Sequence, residues 1–368
     1  MTVGRETPRA TPVELTVLAR ELADLAADLP VLTERIDEQL DRVPAVLTDR
    51  PPSQVFVVGD GDSYHAACAT ELAFSTLGNL PGRPVPAQRF LSYQVDLLTP
   101  ADRALVVAVS ASGRTERVRQ AVERARQRGL TTVAITGVGD SPLAAAVDAT
   151  VTVRPDDPRR SPGIRTYQAS LLGLLLLAVR LGTRDDDRRR RLVAEIADLA
   201  PALAATEQAV RGAADRFAGQ IADAPAVGVL GSGPSEGTAR YCAAKLVEGA
   251  GVLAFGQDLE EWWHVERFAA PLDMPLLVLA PPGRTHQRAV DLVGRAAALG
   301  RRVAVVAPHG DGAFAGLPCT VLPVHGTARE ELSPLLYHVS AGHLAAGLAR
   351  RLGRLPFQGH RATGPARD

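Results

Sequence analysis

The sequence predicts an α/β protein of two similar halves, each a parallel sheet flanked by helices in a flavodoxin-like three-layer sandwich. Three observations carry that prediction. Continuous apolar runs alternate with amphipathic ones, as strands buried on both faces alternate with helices. Each of the leading apolar runs ends in a loop rich in glycine with serine or proline, which opens a helix. Glycine landmarks also recur: Gly59 and Gly231, Gly113 and Gly283, and Gly129 and Gly300 are 172, 170 and 171 residues apart. A near-constant offset marks a duplicated unit.

The elements follow in order. Residues 1–50 hold the helical spacing Val13, Leu15, Leu18, Leu22, Leu25, then Leu32, Ile36, Leu40, punctuated by Pro30. This predicts two amphipathic helices. Residues 51–182 form the first α/β unit. Its strand 55–58 runs into Gly59-Asp-Gly-Asp-Ser63 and a helix; strand 104–109 runs into Ser110-Ala-Ser-Gly-Arg-Thr115 and a helix over 116–128; strand 131–135 runs into Ser141-Pro-Leu and a short helix. The apolar run at 171–179 is less than half of the roughly 20 residues a membrane span needs, so it predicts a buried helix. Residues 183–224 read as a connecting helix. Residues 225–350 repeat the unit, with strands at 227–230, 276–279 and 300–306. Residues 351–368, rich in Arg, Gly and Pro, read as a tail.

With 368 residues and 46% hydrophobic content the chain can bury two ordinary cores. Its 41 basic and 41 acidic side chains cancel. That argues against a nucleic-acid partner and against a polybasic membrane-surface protein. Lys245 is the one lysine; the other 40 basic residues are arginine. Cys68, Cys242 and Cys319 are far apart and odd in number. They suit a reducing compartment rather than a disulfide framework or zinc ribbon. The opening MTVGRETPRATP has no apolar signal-peptide core, so a cytoplasmic location is expected.

The strand-ending loops carry the candidate chemistry. Gly59-Asp-Gly61 opens like a dinucleotide fingerprint, but Tyr64 stands at the third glycine position, which weakens that reading. The loop Ser110, Ala111, Ser112, Gly113, Arg114, Thr115 supplies three hydroxyls and a flexible glycine at a helix start. With Ser63 on the neighbouring strand end, it predicts a phosphate site rather than a simple helix cap. The matching loop Pro281-Pro-Gly-Arg-Thr285 lacks those serines, so only the first half should hold phosphate. Lys245 and Glu248 stand i,i+3 on one helix face. By spacing alone they fit a surface ion pair as well as a catalytic pair, whose ammonium would orient and acidify the carboxylate. His264 follows Glu261 by three residues, and two such ligands do not complete a metal shell. Trp262 and Trp263 precede His264 and suit either a wall beside a ligand or interface packing.

The run SASGRTERV…GLTTVAITGV..SPLAAAVD resembles a sugar isomerase (SIS) domain. Residues of about 50–350 resemble the tandem SIS isomerase portion of glucosamine-6-phosphate synthase and the related amino-sugar-phosphate deaminases and fructosamine deglycases. GDGDSYHAA, Lys245-Leu-Val-Glu248, and the spacing from His264 to Asp273-Met-Pro275 carry the likeness. The resemblance implies an aldose–ketose isomerase, deaminase or deglycase acting on a phosphorylated amino sugar, without cofactor or metal. It implies a homodimer with a shared site, and a phosphosugar held by Ser63, Ser110, Ser112, Gly113 and Thr115. Gly61, Ala111, Arg165, Thr166 and Glu261 become further substrate contacts. Glu248 becomes the base that moves a proton between C1 and C2, with Lys245 assisting, and His264 from the partner subunit opens the ring. The chain has Val265-Glu266 where that family has Gly-Pro, Ala111 where the synthase has Gln, and no tail lysine. No glutaminase segment precedes the likeness, so synthesis from glutamine is not expected of this chain alone. A phosphosugar-sensing regulator without turnover is the alternative.

Overall fold

The computed structural model describes residues 13–41, 43, 47 and 51–357, and the backbone of 359–360. Helix α1, Thr16–Leu40, is continuous where two helices were expected, and Pro30 lies inside it. A proline costs a helix interior about 3 kcal/mol. The stripe Leu18, Leu22, Leu25, Leu29, Leu32, Ile36 is buried along the whole helix. Each such side chain contributes about 1.5–3 kcal/mol, so one packed face outweighs the lost hydrogen bond.

The first sheet has β1 Gln54–Gly59, β2 Gly82–Pro86, β3 Ala104–Ser110, β4 Thr131–Thr136 and β5 Ala149–Thr152, in the order β2-β1-β3-β4-β5. All its pairings are parallel. The second has β6 Val227–Leu230, β7 Ala254–Gln257, β8 Leu276–Leu279, β9 Val303–Pro308 and β10 Cys319–Val324, in the order β10-β9-β8-β6-β7, also parallel. Both sheets are therefore wound alike, and the duplication legible in the glycine offsets is a duplication of topology. The helices of the first half are α2 Asp62–Thr76, α3 Ala87–Tyr93, α4 Glu116–Gln127 and α5 Arg165–Gly182. The expected connecting helix is two: α6 Asp186–Ala197 and α7 Ala200–Ile221, with a proline in the first turn of α7. The second half has α8 Pro234–Ala250, α9 Leu259–His264, α10 His286–Ala298, α11 Pro334–Tyr337 and α12 Val339–Leu352.

Strand residues alternate between two cores, as the period of two requires. Val55, Val57, Val107 and Ile135 of the first sheet share one core with Val227, Val229, Leu277 and Val306 of the second. The helices α1, α2, α5, α7, α8 and α12 lie in that core between the sheets. Phe56, Val58, Val106 and Ala134 face outward under α3 and α4. Leu230, Val278 and Val305 face outward under α9 and α10. The run 171–179 is buried in α5, as expected, and no described helix is long and apolar enough to cross a membrane.

Candidate active site

Ligands of open parallel sheets bind beyond the strands' carboxyl ends, where the strand order reverses. In the first sheet that point lies between β1 and β3. Strand β1 ends at Gly59 and passes through Gly61, whose φ of +54° favours glycine, into α2 with Asp62 and Ser63 in its first turn. Strand β3 ends at Ser110. The Ser110 hydroxyl contacts that of Thr115 at 3.0 Å and accepts from the Gly113 amide at 3.2 Å. Ser112 and Ala111 are exposed, and the Ser112 hydroxyl accepts the Arg114 amide at 3.2 Å. Gly113 has φ +63°, and a Cβ there would fall 2.1 Å from the Ser141 hydroxyl. The Thr115 hydroxyl does not cap α4. The loop thus presents a helix start and several hydroxyls, an arrangement that can bind an anion. The matching loop of the second half already holds a carboxylate: Glu330 accepts the Arg284 amide at 3.2 Å and pairs with its guanidinium.

The other part of the site comes from α8, which lies along α2. At Gly237 a Cβ would fall 2.1 Å from the Ala69 amide nitrogen, so the two backbones nearly touch. The helices run antiparallel there, and this brings Lys245 of α8 to Asp62 at the start of α2. The Lys245 side chain is 1% exposed. Its Nζ donates to Asp62 Oδ2 at 2.6 Å and Glu248 Oε2 at 2.6 Å, and also to the Pro162 carbonyl. It lies 5.0 Å from the Tyr241 ring centre. Three acceptors are what a buried ammonium needs to offset its lost hydration. Gly163, at φ +67°, leaves room for the pair: a Cβ there would meet Asp62 Oδ2 at 2.3 Å. Behind it, Tyr167 and Tyr241 stack at 3.6 Å and the buried His338 meets both rings edge-on.

Glu248 is half-buried beside an open cleft of about 340 Å³ lined also by His65, Arg240, Ala244 and Val247. Burial raises its pKa; Lys245 pulls it back and Asp62 pushes it up. The acidified carboxylate expected from the Lys245 spacing is therefore corrected. Desolvation and a second carboxylate outweigh the ammonium. Asp62 and His65 went unassigned in the sequence because Asp62 meets Lys245 only across 183 residues. The acidic residue opening α2 was the available signal.

Other expected residues do not converge on this point. His264 is 70% exposed at the end of α9, 3.5 Å from Glu260. The Glu261 amide donates to the capping Asp258 at 3.4 Å. Arg165 is buried and turned to α1: it bonds Asp28 at 2.6 and 2.7 Å and the carbonyls of Asp156 and Asp157. Its guanidinium thus fixes the 156–165 loop to α1, and it does not line the cleft beside Glu248. Thr166 is half-buried in the first turn of α5, where its carbonyl accepts the Ser170 hydroxyl. Trp262 is a core residue of the second half, which corrects both the ligand-wall and the interface readings for that ring. Trp263 packs with Arg267, whose guanidinium carbon lies 4.7 Å from its ring centre. In the tail, the Phe357 amide donates to the Glu248 carbonyl at 2.6 Å. Gln358, the His360 side chain and Arg361 lie outside the described residues.

Residues 50–180 match the SIS domain family model. The isomerizing glutamine–fructose-6-phosphate aminotransferase of Gloeobacter violaceus is 26% identical over 308 residues, covering 82% of this chain and 49% of that protein. That of Streptomyces coelicolor is 28% identical over 279 residues, covering 73% and 44%. The chain spans about half the length of the curated relatives it matches. Among solved structures, the C-terminal domain of the glucosamine–fructose-6-phosphate aminotransferase from Francisella tularensis superposes with TM-score 0.81 at 15% identity, over 92% of this chain and 97% of that one. The glucosamine-6-phosphate deaminase of Thermotoga maritima gives 0.70 at 19%, over 95% and 98%. At such identities the structures share the fold. Residues 50–180 thus resemble an SIS domain, and the chain as a whole shares its fold with the C-terminal domain of that aminotransferase.

Proposed function

We propose that this chain is an aldose–ketose isomerase-type enzyme, a deaminase or deglycase acting on a phosphorylated amino sugar or glycated amine. The observation that carries the proposal is the buried Lys245 ammonium shared between Glu248 and Asp62 at the mouth of the first sheet. A surface ion pair would not be buried, and a structural one would not leave Glu248 lining a cleft. Ser63, Ser110, Ser112, Gly113 and Thr115 hold the phosphate, where α4 offers an uncapped start. The second half takes no phosphate because Glu330 fills the equivalent loop.

In the proposed reaction Glu248 takes the proton from C1 or C2 and returns it to the other carbon. Its raised pKa makes it a stronger base than an ordinary carboxylate. Lys245 fixes the carboxylate and balances its charge in the intermediate. The exposed His264 suits delivery to a partner subunit's site, and a homodimer is part of the proposal. Solvent-deuterium exchange at C1 or C2 of fructose 6-phosphate and glucosamine 6-phosphate tests it. Binding with no exchange into either sugar would favour a phosphosugar-sensing regulator.

A further inference from the structure

The cleft beside Glu248 holds a second pair of groups poised for proton transfer. His65 lies one turn after Asp62 on α2, and its Nδ1 is 3.8 Å from Asp62 Oδ1. Both atoms are shut off from solvent and neither has a hydrogen-bond partner. Asp62 cannot turn away, because Lys245 holds its other oxygen at 2.6 Å. A small ring rotation closes the gap and satisfies both orphaned atoms, which burial favours. The remaining ring nitrogen, Nε2, then serves the cleft that His65 and Glu248 line together. A carboxylate behind one imidazole nitrogen fixes the tautomer and leaves the other to exchange protons.

We propose that His65, oriented by Asp62, is the acid–base group for the substrate oxygens, while Glu248 serves the carbons. This rests on the isomerase reading above. As Glu248 takes the C1 proton of a ketose, the C1–H pair becomes the C1–C2 double bond. The C2 carbonyl π pair takes the Nε2 proton of the imidazolium and becomes the O2–H bond. Neutral His65 then takes the O1 proton, the O1–H pair forms the C1 carbonyl, and the double-bond pair takes the proton on Glu248 to form C2–H. One proton moves between carbons and one between oxygens, and both residues return to their starting states. Glu248 alone cannot do both without losing the carbon proton.

The test is His65→Gln with fructose 6-phosphate in deuterium oxide, following deuterium entry at C1 of the ketose and formation of the aldose. Without the oxygen relay, the intermediate returns to ketose. Aldose formation should fall by about 10² or more, while C1 exchange falls far less, so their ratio rises at least about tenfold. Asp62→Asn should shift the ratio the same way, less strongly. Normal turnover in His65→Gln, or loss of both activities with the ratio unchanged, overturns the assignment and leaves the isomerase reading standing. A wild-type protein that exchanges no proton into fructose 6-phosphate or glucosamine 6-phosphate overturns both.

Discussion

The Lys245 ammonium stands 2.6 Å from an oxygen of Glu248 and 2.6 Å from one of Asp62, so a single buried charge ties the second half of the chain to the first. A guanidinium is planar and larger, and cannot present one atom to three acceptors. Lys245→Arg should lower turnover at least about tenfold. Lys245→Met leaves two carboxylates facing each other without their cation and should cost about 3 kcal/mol of stability. Urea denaturation beside steady-state kinetics checks both, and a Lys245→Arg protein that works normally removes the special role of the ammonium.

Glu248→Gln keeps the shape and the donor–acceptor capacity of the side chain but cannot carry a carbon proton. Turnover should fall by about 10² or more. The affinity for fructose 6-phosphate, followed by thermal shift, should change little, because Ser110 and Thr115 sit on the other loop. Retained activity would move the base elsewhere.

The pH profile should report the raised pKa of Glu248. The base works ionised, so the acid limb of kcat/KM should lie above the ordinary carboxylate value of about 4.3. Burial is the largest cause and Lys245 opposes it. Removing the cation in Lys245→Met should therefore move that limb further up in pH, in whatever activity remains. A limb that moves down would contradict the electrostatics.

Gly113 turns the loop proposed to hold phosphate, with φ +63°. A Cβ there would meet the Ser141 hydroxyl at 2.1 Å in a backbone region that alanine avoids. Gly113→Ala should weaken phosphosugar binding about tenfold or more, whereas Gly61→Ala meets open space and is strained only by its φ of +54°. Calorimetric titration of both variants with fructose 6-phosphate separates the two effects.

His338 is wholly buried, and desolvation lowers its pKa to about 3. The unfolded chain binds this proton near pH 6.5 and the folded chain does not. Its contribution to stability is therefore present above pH 6.5 and is lost as pH falls towards 3, at up to about 1.4 kcal/mol per pH unit. His338→Leu should flatten that slope between pH 6.5 and 4.5, above the carboxylate range, as measured by denaturation at several pH values.

The strands read at 104–109 and 131–135 were legible because they are almost wholly buried, so their sequences are rich in Val, Ala, Leu, Ile and Thr and carry no charge. Strand β2, Gly82–Pro86, was not: it lies at a sheet edge, where two prolines cost no ladder bonds and erase the pattern. The hydroxyl-rich loop 110–115 could be singled out because its residues are consecutive. The acidic partner of Lys245 was not, because only the crossing of α2 and α8 brings Asp62 near. The direction of the Glu248 shift is hidden for a related reason: spacing shows the cation three residues away, but not the desolvation around the carboxylate.

A duplicated fold ordinarily lets one copy drift while the other keeps working. The bare backbone contact between Gly237 and Ala69 removes that freedom. Any side chain at 237 would wedge the copies apart and pull Lys245 off Asp62, eight residues further along α8. The register of the two halves therefore depends on a glycine at 237. A swap of either half with that of a distant relative should fail unless the other side of this seam is exchanged with it.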